Sequence, residues 1–430
     1  MKTYLWLPAS FLVGCQLAPG NIIIGSDDTG GGNDTDTSVD TDSGADTADT
    51  ADTAEDPDVE ETPPDELVDC EGSGDFETIQ EAINAAVSPA RIGVKACTYH
   101  ERIDFLGKVI DLYGIDGSEE TILEGDGYGT VVDFEMIESG WSRFAGFTVT
   151  NGVDEADGAA MELTKSSVEL EDVVFTDNYG LNIVRGANAS VDMQDVVFEG
   201  NTVLAEGQAV KIDGGNINMV NTTIDCDGGA QALWHHVQAL ISDSTIVCDS
   251  GYGVQDYHGE DRIIRSSIWG STSGYIAYDN ESTVEEPDSP SERFYVENSV
   301  IGGGNIGAEI KYMHLELSNS VFYGGASGLS MTACDTGSWS INNVYAESAC
   351  GITGDQNFND QNSAYWNNGE NACGLTLRPS VTADPEFVSW PDDLHLQAGS
   401  PLVDAGYRAW QDTDGSASDI GRYGGPRGGY

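Results

Sequence analysis

The sequence predicts an all-β fold, a parallel β-helix solenoid with an N-terminal capping helix. One short phrase keeps returning along its middle, the apolar residues inside that phrase alternate, and an amphipathic helix precedes it. The phrase reads GFTVTNG at Phe147, LEDVVFTDN at Phe175, MQDVVFEGN at Phe198, VNTTIDCDG at Ile224, SDSTIVCDS at Ile246, RSSIWGS at Ile268, ENSVIGGG at Ile301, SNSVFYGG at Phe322 and INNVYAES at Tyr345. Successive anchors lie 28, 23, 26, 22, 22, 33, 21 and 23 residues apart. A unit this small cannot bury its own apolar face and must stack on a neighbour. Runs such as SVELEDVVF and ASVDMQDVVF alternate apolar and polar residues, are rich in Val, and are too short for helices. Strands this short, separated by Gly, Asn, Asp and Ser turns, fit stacked coils better than a sandwich or a propeller. The 33-residue step holds an insertion, Asn280 to Arg293, read as a solvated loop.

At the start of the chain, Lys2 is followed by an apolar run, Tyr4 to Val13, ending in Leu12-Val13-Gly14-Cys15. This resembles a bacterial lipoprotein signal peptide with a lipobox. The run is too short for a permanent span, so residues 1–14 are expected to be removed and Cys15 acylated. An ordinary secretory signal, giving a secreted protein, is the alternative. Gln16 after the lipid site implies, by the same resemblance, delivery to the outer membrane or cell surface. Several acyl chains on Cys15 would anchor the protein firmly, each buried methylene adding about 0.8 kcal/mol. Residues 15–69 are read as a disordered stalk, since Ser26 to Asp69 holds 17 acidic residues, no basic ones and no aromatics. Such a segment cannot form a core, repels itself and extends. A Ca²⁺-sequestering role is the weaker reading, because unspaced Asp-Thr repeats build no cage.

Residues 70–430 form the predicted β-helix domain. It holds 57 acidic and 16 basic residues, a net charge of −41, within a chain of −57. Nucleic acid and bare acidic polymers would be repelled, so neither is expected as a partner. In the cap, Phe76, Ile79, Ala82, Ile83, Ala86 and Val87 share one helical face, with Asp75 as the expected N-cap and Pro89 after the end. The helix would cover the open end of the first coil.

DFETIQEAINAA, ACTYHERIDF, GKVIDLYGIDGSEETILEGDG, RFAGFTVTNG, DPEFVSWPDDLHLQAGSPLVDAG and DIGRYGG together resemble the secreted right-handed parallel β-helix proteins of the pectin-lyase-like superfamily, over residues 73 to 425. The resemblance implies the right-handed fold and a relation to carbohydrate. It implies no one chemistry, because the superfamily includes lyases, esterases, hydrolases, adhesins and non-enzymes. Its enzymes use Asp pairs with an Arg, Asp pairs with a Gly-His-Gly segment, or Ca²⁺-binding Asp with a catalytic Arg or Lys. None of these patterns can be placed on this sequence, so catalysis stays an open question.

Eight Cys in an exported chain imply disulfides. With Cys15 lipidated, seven remain. Stacked coils bring equivalent positions about 4.8 Å apart, within disulfide reach. Cys226 and Cys248 occupy one place in successive phrases, as do Cys350 and Cys373, and Cys70 with Cys97 would staple the cap. Cys334 is left over, with a Cys334–Cys350 pair as the rival; buried free thiols are the alternative for any pair.

Stacking the coils on their glycines lines up Arg185, Ile212, Trp234, Asp256, Tyr278 and Tyr312. Neighbouring columns add His235, Tyr257 and Asp279, then His236, His258, Asn280 and His314, with Lys211 alongside. Four of the six His fall here. Read functionally, this is an outward ladder for an extracellular glycan, with rings stacking on sugar faces and polar groups bonding hydroxyls. An Asp-His-Tyr cluster could instead carry acid–base chemistry, which would make the protein a polysaccharide lyase or hydrolase. The remaining reading is a structural surface without a ligand, where like residues stack across strands. Asp412, Asp414 and Asp419 resemble a calcium loop, making Ca²⁺ the one candidate cofactor, although a turn whose carboxylates bond backbone N–H groups reads equally from these residues. Asn151, Asn178 and Asn201 are expected to form an Asn ladder at a coil corner.

Overall fold

The computed structural model describes residues 63–136, 140–257, 259–278, 292–334, 337–354, 358–377 and 381–429. Cys15, His258, Asp279, Asn280 and most of the expected insertion loop lie outside the described residues. The chain winds as a right-handed parallel β-helix whose coils present three faces, all strand pairs of the main sheet being parallel. The first face runs from Ala90–Val94 to Asn359–Gln361, the second from Cys97–His100 to Ala364–Trp366, and the third from Ile103–Asp104 to Glu370–Cys373. Thr202–Val220 and Gln231–Ser242 bend across a corner, each serving the third face and then the first.

The recurring anchors stack inside the second face. Phe175 pairs with Phe198, Phe198 with Ile224, and Ile224 with Ile246, Ile268, Ile301, Phe322 and Tyr345 in turn. Phe147 departs from this column: Val149 is the partner of Phe175, while Phe147 pairs with Val173. A two-residue offset preserves the inward direction, and Phe147 is still fully buried. Phe175 and Phe198 stack at 4.7 Å between ring centroids, so successive coils share one continuous core.

Two polar ladders hold the corners. Between the second and third faces, Asn178 Oδ1 accepts from Gly152 N at 2.9 Å and Asn201 Oδ1 accepts from Asn178 N at 3.1 Å, while Asn151 Nδ2 donates to Gly125 O. Asn178 and Asn201 form the expected Asn ladder, while Asn151 falls one position before the rung, which Gly152 occupies. Between the first and second faces the sequence analysis missed a second one. Asn221, Asp243, Arg265, Asn298, Asn319, Asn342 and Asn362 each take positive φ, the conformation that Asn and Asp tolerate best among non-Gly residues. The next residue in each coil then carries the ladder: Thr222 N donates to Ser244 Oγ, Ser244 N to Ser266 Oγ, Ser266 N to Ser299 Oγ, and so on to Ser363.

The cap is Ile79–Ala85, with Ile79, Ala82 and Ile83 fully buried over the first coil. Its N-cap is Thr78, whose side chain accepts from Glu81 N, and not Asp75, which is engaged by Leu67 N. Val87 lies beyond the helix and is exposed. The folded domain also starts earlier than residue 70. Glu66–Val68 is a strand paired with Ala90–Val94, because Leu67 and Val68 offer an apolar step inside an acidic run and Val68 is fully buried.

At the other end, residues after Val381 lie along the second face's outer surface. Phe387, Leu394, Leu402 and Ile420 cover Val300, Val321, Val344 and Ala364. Asp412 accepts from Asp419 N and Gly425 N, Asp414 from Ser416 N, and Asp419 from Asp404 N. These carboxylates are spent on backbone donors that shape the turn. They do not converge as metal ligands among the described residues, and the calcium-loop reading is corrected accordingly.

Cys70–Cys97 and Cys350–Cys373 are disulfides, which removes the rival pairing of Cys334 with Cys350. Cys226 and Cys248 pair in register and are fully buried, but they stand as thiols with their Sγ atoms 2.7 Å apart. The pair is thus aligned as expected and unbonded in this structure. Exposure to an oxidant during folding is expected to close this pair. Non-reducing peptide mapping should then find a Cys226–Cys248 cross-link, and two alkylatable thiols after such folding would contradict it.

Candidate functional site

The third face is the one whose outer surface carries chemistry. Strand pairing sets its outward column as Asp104, Asp133, Glu162, Arg185, Lys211, Trp234, Gln255, Ile276, Glu309, Ser330 and Thr353. Side chains at these positions share one side because direction alternates along each strand.

In the middle of the column, Lys211 Nζ lies 4.9 Å from the Trp234 ring centroid, Trp234 and Tyr257 have centroids 5.8 Å apart, and Tyr257 and Tyr278 have centroids 6.1 Å apart. Lys311 closes the row, with Nζ 4.4 Å from the Tyr278 centroid and 2.8 Å from Glu309 Oε1. Burial, then the Glu309 carboxylate, pushes the Tyr278 phenol up. All five are half-buried, leaning against one another while keeping a free edge. Beside them runs a row of amides: Gln208 Nε2 donates to Gln231 Oε1 at 2.8 Å, Gln231 Nε2 to Gln255 Oε1 at 2.6 Å, and Gln255 Nε2 to Tyr257 Oη at 2.6 Å.

Toward the N-terminal end the column turns acidic. Arg185 Nη1 lies 2.6 Å from Glu162 Oε1 and 3.0 Å from Asp157 Oδ1. Glu162, 9% exposed, also accepts from Gly158 N at 3.0 Å. Gly158 is required there, since an added Cβ would stand 1.9 Å from Met161 O. Burial pushes the Glu162 carboxyl up, with Arg185 and the Gly158 N–H opposing. Asp133, in the next coil, is pushed up to about 6 by burial and then by the charges of Asp104, Glu135 and Asp157. The sequence analysis included Arg185 but missed both carboxylates, because Asp133 and Glu162 are 29 residues apart and meet only through strand register.

Several expected members fall elsewhere. His235 and Asp256 point into the solenoid and are fully buried. His235 is inward because it follows the outward Trp234 in an alternating strand; Asp256 is inward because a turn is one residue shorter, Cys226 pairing with Cys248 but Gln231 with Tyr252, so Trp234 stands beside Gln255 and His235 beside Asp256. A one-residue slip exchanges inside for outside. Leu233, Val254 and Tyr275 form the inward column beside His235 and Asp256. Ile212, partnered with His235, is also inward. His236 is exposed, next to Asp213 at 3.5 Å. Tyr312 takes φ 62° at the corner after Lys311, and His314 belongs to the first face, 3.3 Å from Glu316; neither joins the row.

Inside, His235 meets Asp256, Asp261 and Tyr275. Burial opposes a charged imidazole, but Asp261 and Asp256 outweigh it and push His235 up to about 9. Burial and the Asp261 charge push the Asp256 carboxyl well above the usual carboxylate range.

No protein-family model and no curated protein sequence matches the chain. Solved structures do. A complex of XylC with xylose is 10% identical, with a TM-score of 0.51 over 83% of this chain and 98% of that one. The A-module of Azotobacter vinelandii mannuronan C-5 epimerase AlgE6 is 14% identical over 71% of this chain and 93% of that one, with a TM-score of 0.39. Pectate lyase Pel9A is 14% identical over 81% and 91%, with a TM-score of 0.34. At these identities the likeness is one of fold alone, the parallel β-helix.

Proposed function

We propose that the protein binds a carbohydrate polymer along the outer surface of its third face. The observation that carries this is the row Lys211, Trp234, Tyr257, Tyr278 and Lys311, in which three rings follow the coil axis between two ammonium groups. A sugar chain laid along that axis meets aromatic faces at successive coils, while the lysines and the neighbouring amides offer hydrogen bonds to hydroxyls or carboxylates. Carbohydrate-related β-helix structures of similar fold are in keeping with this reading without specifying it. A panel of neutral and acidic polysaccharides, screened for retention with and without Ca²⁺, tests it. Retention of at least one class is expected, and no retention by any would sink the proposal.

We read the chain further as displayed on a bacterial surface through lipid on Cys15. Cys15→Ser is expected to release it from membranes; a mature N-terminus without lipid, found by mass spectrometry, would contradict that.

A second reading is favoured by one observation. A carboxyl pushed up to about 6, Asp133, neighbours a buried carboxylate, Glu162, that is held by Arg185. Carboxyls tuned toward neutral pH beside a cation are what acid–base chemistry on a glycan uses. The same panel, assayed for new reducing ends or unsaturated products, distinguishes an enzyme from a binding module.

A further inference from the structure

The cluster inside the solenoid does not belong to the outer face. His235 comes from Gln231–Ser242, Asp256 from Tyr252–Asp256 and Asp261 from Asp261–Ile264, so strands of two successive coils converge at one corner. All three side chains are 0% exposed. A ring nitrogen of His235 and a carboxylate oxygen from each Asp lie within 4.8 Å of one another.

Each side chain is held by its other polar atom. His235 Nδ1 lies 3.0 Å from Val237 O and so carries the proton, turning the Nε2 lone pair toward Asp261 Oδ2 at 3.2 Å. Asp256 Oδ2 accepts from Gly259 N at 3.2 Å, and Asp261 Oδ1 accepts from Ala239 N at 3.0 Å. The Tyr275 hydroxyl donates to Asp261 Oδ2. Two further atoms, His235 Nε2 and Asp256 Oδ1, are buried without a hydrogen-bond partner among the described residues, with Asp256 Oδ1 3.5 Å from His235 Nδ1. A pair of buried polar atoms without partners is costly, and the 3.2 Å between Nε2 and the Asp261 carboxylate is favourable only with a positive charge between them, either a proton on Nε2 or a metal ion.

We propose that His235, Asp256 and Asp261 bind a divalent transition ion, Zn²⁺ by preference, as a structural site inside the β-helix. Zn²⁺ takes imidazole nitrogen and carboxylate oxygen at about 2.0–2.2 Å in tetrahedral geometry, which puts neighbouring ligand atoms about 3.3 Å apart. The observed 3.2 Å between Nε2 and Oδ2 matches that edge. Two carboxylates, a neutral imidazole and a divalent ion sum to zero charge, which suits a dry interior. Backbone and Tyr275 contacts supply the outer shell that orients metal-binding His and Asp. Ca²⁺ is disfavoured because it calls for six to eight oxygens.

Because the site is closed, the ion must enter as the chain folds. The full chain is therefore unfolded with chelator and refolded with Zn²⁺, with Ca²⁺ or without metal, and its metal content and Tm are measured. One equivalent of Zn²⁺ is expected, with a Tm several degrees above the metal-free sample; Co²⁺ in its place should give the visible absorption of a tetrahedral site. Asp256→Asn, with its fold checked by circular dichroism and by the two disulfides, should lose the ion. Refolded protein that holds no Zn²⁺ and shows no Tm shift would overturn the proposal, leaving a proton shared among the three residues. Full Zn²⁺ content in both Asp256→Asn and Asp261→Asn would overturn it too, placing the ion elsewhere.

Discussion

Asn178→Ala is expected to lower the stability of the β-helix by about 2–4 kcal/mol, the cost of leaving two or three buried backbone groups without partners. Asn178 is 1% exposed, and its Oδ1 serves Gly152 N while its Nδ2 serves Val149 O and Thr176 O, both at 3.0 Å. Alanine fits the space but returns none of these bonds, and water cannot enter a corner so closely packed. Asn178→Asp keeps an acceptor for Gly152 while turning an anion toward Val149 O, Thr176 O and Asn201 Oδ1, so it should be no milder at neutral pH. Urea unfolding followed by circular dichroism measures both. A shift in Asn178→Ala smaller than about 0.5 kcal/mol, the range of ordinary surface substitutions, would mean the ladder is ornamental.

Arg185→Met is expected to cost about 2–3 kcal/mol at pH 8 and much less at pH 5. Breaking a buried ion pair by removing one member leaves an uncompensated charge; the Arg185 side chain is 31% exposed and Glu162 11%, so solvent screening places the effect below the 3–5 kcal/mol of a fully buried pair. The direction with pH follows from the carboxyls. Burial already raises Glu162, and Asp133 is pushed up to about 6. A carboxyl raised in the folded state stabilises that state below its unfolded value and loses this contribution as pH rises through its folded value. Without the guanidinium the Glu162 value rises further, so the penalty appears on going from pH 5 to pH 8. Denaturant midpoints for both proteins across that range test this. A penalty independent of pH would show that Arg185 contributes packing and not charge.

The fold was legible because it rests on what repeats. Ile224, Ile246, Ile268, Ile301, Phe322 and Tyr345 recur at the core position of one face, and their column formed as the sequence spacing implies. Cys350–Cys373 formed as expected although Cys350 is in register with Glu370 and Cys373 with Thr353, so matched position in the repeat was not what brought the sulfurs together. Register on the third face was less legible, since it depends on turn length. Three residues separate Cys248 from Tyr252 where four separate Cys226 from Gln231, and that one residue put Asp256 inside, while His235 is inside because it follows the outward Trp234. Lys211 and Trp234 held their outward places because their strands pair directly, whereas Tyr312 was lost to a corner. Asp133 and Glu162 carry no local motif at all. Their partnership exists only after Val132–Glu135 and Val153–Thr164 are laid side by side.

The claim that the third face binds carbohydrate is tested most directly by titrating the polysaccharide retained in the screen into three proteins in a calorimeter. These are the wild type, Trp234→Ala on the third face, and Tyr295→Ala on the outer surface of the first face, where Tyr295 stacks under Arg262 at 4.6 Å. Ring contact of the order of 1 kcal/mol on one half-buried Trp predicts roughly a 5-fold weaker Kd for Trp234→Ala, with melting little changed and Tyr295→Ala binding as the wild type does. Equal affinity in all three, or loss in Tyr295→Ala alone, would contradict the account.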